Sequence, residues 1–372
     1  MVGYFVSVTI FTALYALFSL GLNLQWGLTG LINFGHVAFM TIGAYVTVLL
    51  NIQGVPVIVA VAIGTVVAAT LGLIIGTSTL RLREDYLAIV TIGVAELLRL
   101  IANNEQWPSP DGPIEGSFGL KDYLIPLADW DPNLWQKLIA IALLTIIAVF
   151  AMWQLWRGLK SQWKENQQIQ DKSYRPRKPI SLIIWGAIGT TLIVAIYING
   201  TLALYDYYYR AGLMVLVLLV LALVYWGLEI LVRSPWGRII KAIREDEEIP
   251  RVLGKNVFWY KLQAFMLGGA IAGIAGAFYA WYLTTVYPSN FESIVTFYAW
   301  TIIILGGAGS NAGTLVGALI FSAYNEITRN LFVGGASLDA LRIMIMGLIV
   351  MILMIWRPQG ILGKKEELTL GK

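Results

Sequence analysis

The chain has 372 residues, of which 58% are hydrophobic and 13% charged, with a net charge of +4 and a mean hydropathy of +0.72. A soluble domain carries about 25% charged residues, so an ordinary soluble domain is excluded. With no cysteine and one histidine, His36, disulfides, thiolate catalysis and a cysteine or histidine metal cluster are excluded too.

The first 80 residues carry no charge; Arg81 is the first charged side chain. The start, "MVGYFVSVTIFTALYALFSL", lacks the positive region of a cleavable signal peptide and reads as a retained span. Apolar runs long enough to be spans follow at about 4–22, 35–50, 55–80, 86–102, 134–156, 180–198, 211–232, 261–283, 294–308, 312–330 and 340–356. They are continuous rather than alternating, which favours helices over a barrel. The fold expected is all-α, a polytopic helical membrane protein with about 10–11 transmembrane segments in one domain, 1–372.

From the end of the first run into the start of the second lies "NLQWGLTGLINFGHVAF" (23–39). Asn23, Gln25, Asn33 and His36 stand there among glycines, where polar groups must find partners. They are candidate lining of a pathway, in an unwound segment; equally, Asn33 can cap a helix with His36 in its first turn. A second Gly/Asn-rich break, "GGAGSNAG" at 306–313, lies in the other half of the chain without a sequence match to the first; many transporters place broken helices in corresponding positions of two halves. Glu96 and Arg99, three apart, read as an intrahelical pair or as a proton or cation site. Rows of small residues at Gly269–Gly273, Ala272–Gly276 and Gly309–Gly313–Gly317 allow close helix approach within one subunit or at a dimer seam.

The connecting segments sort by charge. Residues 158–179 carry six Lys or Arg and 233–261 carry seven, whereas 103–133 hold Lys121 against Glu105, Asp111, Glu115, Asp122, Asp129 and Asp131. The positive-inside rule puts 158–179 and 233–261 in the cytoplasm and 103–133 in the periplasm. The 233–261 loop has apolar residues at helical spacing and reads as two short helices around an acidic hinge. Its run from Arg244, Glu245, Asp246, Glu247 and Glu248 to Gly254 suits a protein partner better than anionic lipid. No P-loop occurs: "LGKN" and "LGKK" lack the first glycine and the Ser or Thr. No catalytic cluster and no cofactor site is found.

Three blocks, "GLNLQWGLTGLINFGHVAFMTIGAY" (21–45), "LRLREDYLAIVTIGVAELLRLIANN" (80–104) and "SPWGRIIKAIREDEEIPRVLGKNVFWYKLQAFMLGGAIAGIAGA" (234–277), resemble the inner-membrane permeases of branched-chain amino acid (LIV-type) ABC transporters. "LGGAGSNAGTLVGA" and "RPQGILG" add to the likeness, which points to the longer permease paralogue and to cyanobacterial neutral amino acid permeases. The resemblance implies a multi-pass protein of the bacterial inner membrane importing branched-chain or other neutral amino acids. It implies a paralogous permease as heterodimer partner, two cytoplasmic ATPase subunits that hydrolyse the ATP, a periplasmic substrate-binding protein, contact with membrane lipid and none with nucleic acid. It also implies that 233–261 docks on an ATPase: Glu248 to Gly254 keeps the Glu-to-Gly spacing of the ABC coupling motif, but both alanines are missing. A urea or short-amide permease, or a stand-alone ion-coupled carrier, is the alternative.

Overall fold

The computed structural model describes residues 2–81, 84–109, 112–127, 132–168, 179–206, 210–331, 335–356 and 360–362. Every predicted apolar run is a helix: α1 (Val2–Leu22), α2 (Val37–Ile52), α3 (Val57–Thr79), α4 (Glu84–Asn104), α5 (Leu134–Gln168), α6 (Pro179–Tyr205) and α7 (Ala211–Arg233). Two short helices follow, α8 (Pro235–Glu245) and α9 (Glu248–Val252), then α10 (Val257–Leu283), α11 (Ile294–Gly306), α12 (Asn311–Leu331) and α13 (Gly335–Trp356).

The chain is a multi-pass helical protein, but helices and spans do not map one to one. Among the described residues six helices are long and apolar enough to cross a membrane. α11 and α12 meet at a 115° bend, so this pair counts as one broken span or a re-entrant hairpin rather than two crossings. α2 has 16 residues, about 24 Å at 1.5 Å per residue, short of the roughly 30 Å hydrocarbon layer. Apolarity sets helix formation; length and the break at 307–310 set how many cross.

The chain divides into two compact units, residues 1–10 with 127–222, and residues 11–126 with 223–372. In the first, α5 packs on α6, and Lys137 donates to the Tyr205 carbonyl at 2.9 Å. The second holds the polar segments of interest. Its centre is a three-helix packing of α2, α3 and α10. A Cβ at Gly43 would overlap the Gly273 backbone, and one at Gly276 the Met40 carbonyl. Gly273 and Gly276 thus serve packing inside this unit, where close approach replaces a hydrophobic drive that lipid does not supply. Gly306, Gly313 and Gly317 do the same between α11 and α12.

Residues 105–109 and 112–127 form irregular structure with one small antiparallel pair, β1 (Gln106–Trp107) and β2 (Ile114–Glu115), with Gln106 opposite Glu115. Trp107 donates to the Ala102 carbonyl at 2.9 Å, tying the pair to the end of α4. Glu96 and Arg99 on α4 are an intrahelical ion pair with two hydrogen bonds, 2.5 and 3.0 Å.

Candidate functional site

The α1 helix does not stop at Leu22; it widens into a π turn, Asn23–Gly27, and then unwinds until α2 begins at Val37. Such widenings leave carbonyls that the helix ladder no longer serves. Four are taken up nearby: Leu28 N–H donates to Asn23 O, the Thr29 hydroxyl to Leu24 O, Leu31 N–H to Gln25 O and Gly30 N–H to Trp26 O, all at 2.9 Å. The fifth, Gly27 O, accepts from the Arg244 guanidinium at 2.5 Å.

Two of the four polar residues singled out in this segment act together, and all four are fully buried. Asn33 Nδ2 donates to Gln25 Oε1 at 2.8 Å, and Gln25 Nε2 donates to the Phe265 carbonyl of α10 at 2.9 Å. Asn33 Oδ1 accepts Gly35 N–H at 3.0 Å, and its carbonyl accepts the Trp300 indole at 3.1 Å. His36 lies apart from this pair. Its Nε2 is 3.3 Å from the Phe18 carbonyl, its ring packs 4.8 Å from Phe18, and its Nδ1 has no partner among the described residues. Asn33 does not cap α2; the Val37 N–H is met instead by the Thr296 hydroxyl of α11 at 2.9 Å.

Asn23 reaches the second break. Gly309 N–H donates to Asn23 Oδ1 at 2.9 Å, and Asn23 Nδ2 donates to Asn311 Oδ1 at 3.1 Å. Gly307 and Gly309 have φ of +116° and +81°, values that favour glycine. The orphan carbonyls at the end of α11 are met by the segment 360–362, Ile361 N–H to Leu305 O at 3.0 Å and Leu362 N–H to Gly306 O at 2.8 Å. The two breaks therefore share one polar seam with neutral side chains. From it Asn311 Nδ2 donates to Glu229 Oε1 at 3.3 Å, and Glu229 pairs with Arg233 at 2.8 Å. Sequence reading did not single out Asn311 or Trp300. Asn311 had a signal, a lone amide beside a glycine break; Trp300 had none, lying in an uninterrupted apolar run.

The 233–261 loop is built as two helices with a turn, as its spacing predicts. Ser234 accepts Gly237 N–H at 3.3 Å and Pro235 fills the first helical position, so "SPWG" starts α8. Ile240 and Ile243 are buried beneath it. Asp246 accepts Glu248 N–H at 2.8 Å, turning the chain into α9. Glu245 and Asp246 are exposed, Glu247 pairs with Lys261, and Glu248 pairs with Arg251 at 2.6 Å. α9 ends in a Schellman motif: Gly254 N–H bonds Arg251 O at 3.0 Å and Lys255 N–H bonds Pro250 O at 2.9 Å, with Gly254 at φ +74°. The turn leaves Ile249, Val252 and Leu253 out in the open, the last two 84% and 72% exposed. Arg244 departs from the expectation for this set: it turns inward to Gly27 rather than outward with the acidic run. Among the described residues no three His, Cys, Asp or Glu side chains converge as metal ligands would.

The sequence matches the family model described as "Branched-chain amino acid transport system / permease component" over residues 4–125 and 133–355. The chain belongs to this family. It is similar to the high-affinity branched-chain amino acid transport system permease protein LivM of Escherichia coli K12, 30% identical over 365 residues, covering 96% of this chain and 69% of that protein. It is 23% identical over 372 residues to the probable branched-chain amino acid transport permease protein LivM of Methanocaldococcus jannaschii, covering 97% of this chain and 94% of the relative. A shorter likeness, 34% over 119 residues, links it to the fructose import permease protein FrcC of Rhizobium meliloti, covering 31% and 32% of the two chains. No solved structure matches. This permease component is therefore a transport subunit.

Proposed function

We propose that the permease imports branched-chain or other neutral amino acids across the inner membrane as one of two paired permease chains, with two ATPase subunits on one side and a substrate-binding protein on the other. The names of its relatives and the chemistry of the seam support the substrate class. A zwitterion crossing a membrane needs hydrogen-bonding groups but no fixed charge that would hold it, and Asn23, Gln25, Asn33 and Asn311 supply such groups without charge. They are engaged with one another here, as in a sealed conformation; His36 serves by holding the turn onto α1 through Phe18.

The observation that carries the coupling role is the exposed turn at 248–254. Ile249, Val252 and Leu253 form an apolar cap held out by the Glu248–Arg251 pair and stopped by Gly254. Exposed apolar residues rimmed by charge mark an interaction surface, and the basic balance of the loop puts this surface in the cytoplasm, where ATPase subunits sit. Docking thus falls to Glu248–Gly254, with Glu245 and Asp246 on its rim.

Reconstitution tests the reading. The permease, its genetic neighbours for a second permease, the ATPase and the binding protein are assembled in liposomes, and uptake of radiolabelled leucine, alanine and urea is followed. Uptake of leucine or alanine that needs ATP and the binding protein supports the proposal. Uptake by the permease alone, without ATPase, would show a stand-alone carrier, and uptake of urea in preference to leucine would overturn the substrate class.

A further inference from the structure

The short helix α8 is linked to the seam directly at its far end and, at its start, through the end of α7. At its start, Arg233 adjoins the cap residue Ser234 and pairs with Glu229, whose other oxygen receives Asn311 Nδ2. Asn311 in turn accepts from Asn23. At its far end, Arg244 in the last turn of α8 donates to Gly27 O. The Arg244 side chain lies over Gly30, which has φ +81° and where a Cβ would sit 3.6 Å from Arg244 Cγ. α8 itself is tied to the start of α10 by the Trp236 indole on Gln263 Oε1, 2.7 Å, and by the Glu247–Lys261 pair. An 11-residue helix is about 16 Å long, so these two ties reach the polar seam at separate points.

Arg244 is the loop residue that bonds the π turn of the first break. Every other carbonyl of the π turn is satisfied by its own next few residues; Gly27 O alone is served from another element. If that bond breaks, a peptide carbonyl is left at a buried helix break, so α8 and the break favour moving together over parting. A half-open pocket of about 210 Å³ lies between Thr29–Gly30 and Ile243–Glu247.

We propose that Arg244 and Asn311 are positioning residues for transport: Arg244 binds the far end of α8 to the first helix break, and Asn311 binds the end of α7 that leads into α8 to the second, so that displacement of the 234–256 loop shifts both breaks at once. This rests on the docking reading of that loop. It adds the route by which docking reaches the pathway, through Gly27 O on one side and through Glu229, Asn311 and Asn23 on the other.

The test uses the full complex in liposomes and reads solute imported per ATP hydrolysed, with assembly scored separately by co-purification. Arg244→Gln cannot keep a charged grip on Gly27 O, and Asn311→Ser is too short to bridge Glu229 and Asn23. Complexes containing either variant should import at least about fivefold less per ATP hydrolysed than the parent, and Arg244→Lys, which retains a cationic donor, should recover part of the loss. A mere stabilising role would lower the amount of complex and leave the ratio alone. An unchanged ratio in assembled Arg244→Gln and Asn311→Ser complexes overturns the proposal, and so does failure of both variants to assemble, since that assigns them to folding. Gly254→Val reports on docking independently: if it keeps its ATPase, the docking reading fails, while the import ratio of Arg244→Gln still judges the link.

Discussion

The Gln25–Asn33 pair offers a quantitative check on the buried seam. Gln25→Met keeps the length of the side chain but removes both its donor to Phe265 O and its acceptor for Asn33 Nδ2. Both residues are 0% exposed, so the Asn33 amide is left without a partner and no water replaces it. A buried polar group stranded in this way costs about 1–3 kcal/mol. Asn33→Ala strands Gln25 Oε1 and Gly35 N–H in turn, and should cost a similar amount. The double variant strands fewer groups than the two singles together. Hydrogen bonds between membrane helices couple by about 0.6 kcal/mol on average and about 1.7 at most, so the double variant should be more stable than the sum of the singles by about 0.6–1.7 kcal/mol. Reversible unfolding of the purified chain in mixed micelles of rising SDS fraction, followed by far-UV circular dichroism and tryptophan fluorescence, gives the four free energies. Strict additivity, or singles indistinguishable from the parent, would refute the claim that this pair holds the unwound segment onto α10.

Orientation is accessible because the chain has no cysteine of its own. Single cysteines at Ser117 and Lys255, both exposed, should respectively react and fail to react with an impermeant thiol reagent in intact cells; the reverse pattern would invert the topology. Gly254→Val forces a β-branched residue to φ +74°, at a cost of about 1–2 kcal/mol. ATPase co-purification should fall while membrane-inserted protein stays near parental abundance. Glu96 stands ten residues into the span Tyr86–Asn104, about 15 Å along its axis, and its side chain is 43% exposed. Arg99→Leu leaves that carboxylate without its partner, at a cost of up to about 2.5–3.5 kcal/mol for a charge near the centre of a span. Inserted yield should drop several-fold and recover in Glu96→Gln with Arg99→Leu; equal yields of the single and double variants would show that the pair carries no such energy.

Much of this protein is legible from local chemistry alone. Apolar runs of helical length become helices because lipid leaves the backbone no other way to satisfy its own hydrogen bonds. "SPWG" starts α8 and "LGK" ends α9 because a serine cap, a proline at the first position and a glycine at positive φ act over four residues or fewer. The intrahelical Glu96–Arg99 pair follows from spacing by the same reasoning. The glycine-rich segments at 26–35 and 306–313 could be recognised as breaks because nothing in them sustains a helix.

What each break touches was not legible, since that depends on residues far apart in the chain. Asn33 looked like the cap of α2, yet Thr296, 259 residues beyond Val37, does that work while Asn33 bonds Gln25. Arg244 read as part of an outward acidic and basic face; 217 residues separate it from the carbonyl it holds. The junction of 294–308 and 312–330 is in the same class: both runs are apolar, and only the 115° bend between them shows one broken span or a re-entrant hairpin. The sequence by itself determined the helices, the start of α8, the end of α9 and the membrane setting, because those follow from hydrogen bonds and hydropathy within a few residues. Which polar groups meet in the seam was decided by tertiary packing, because a buried amide takes whatever partner the close approach of glycine-lined helices brings within about 3 Å of it.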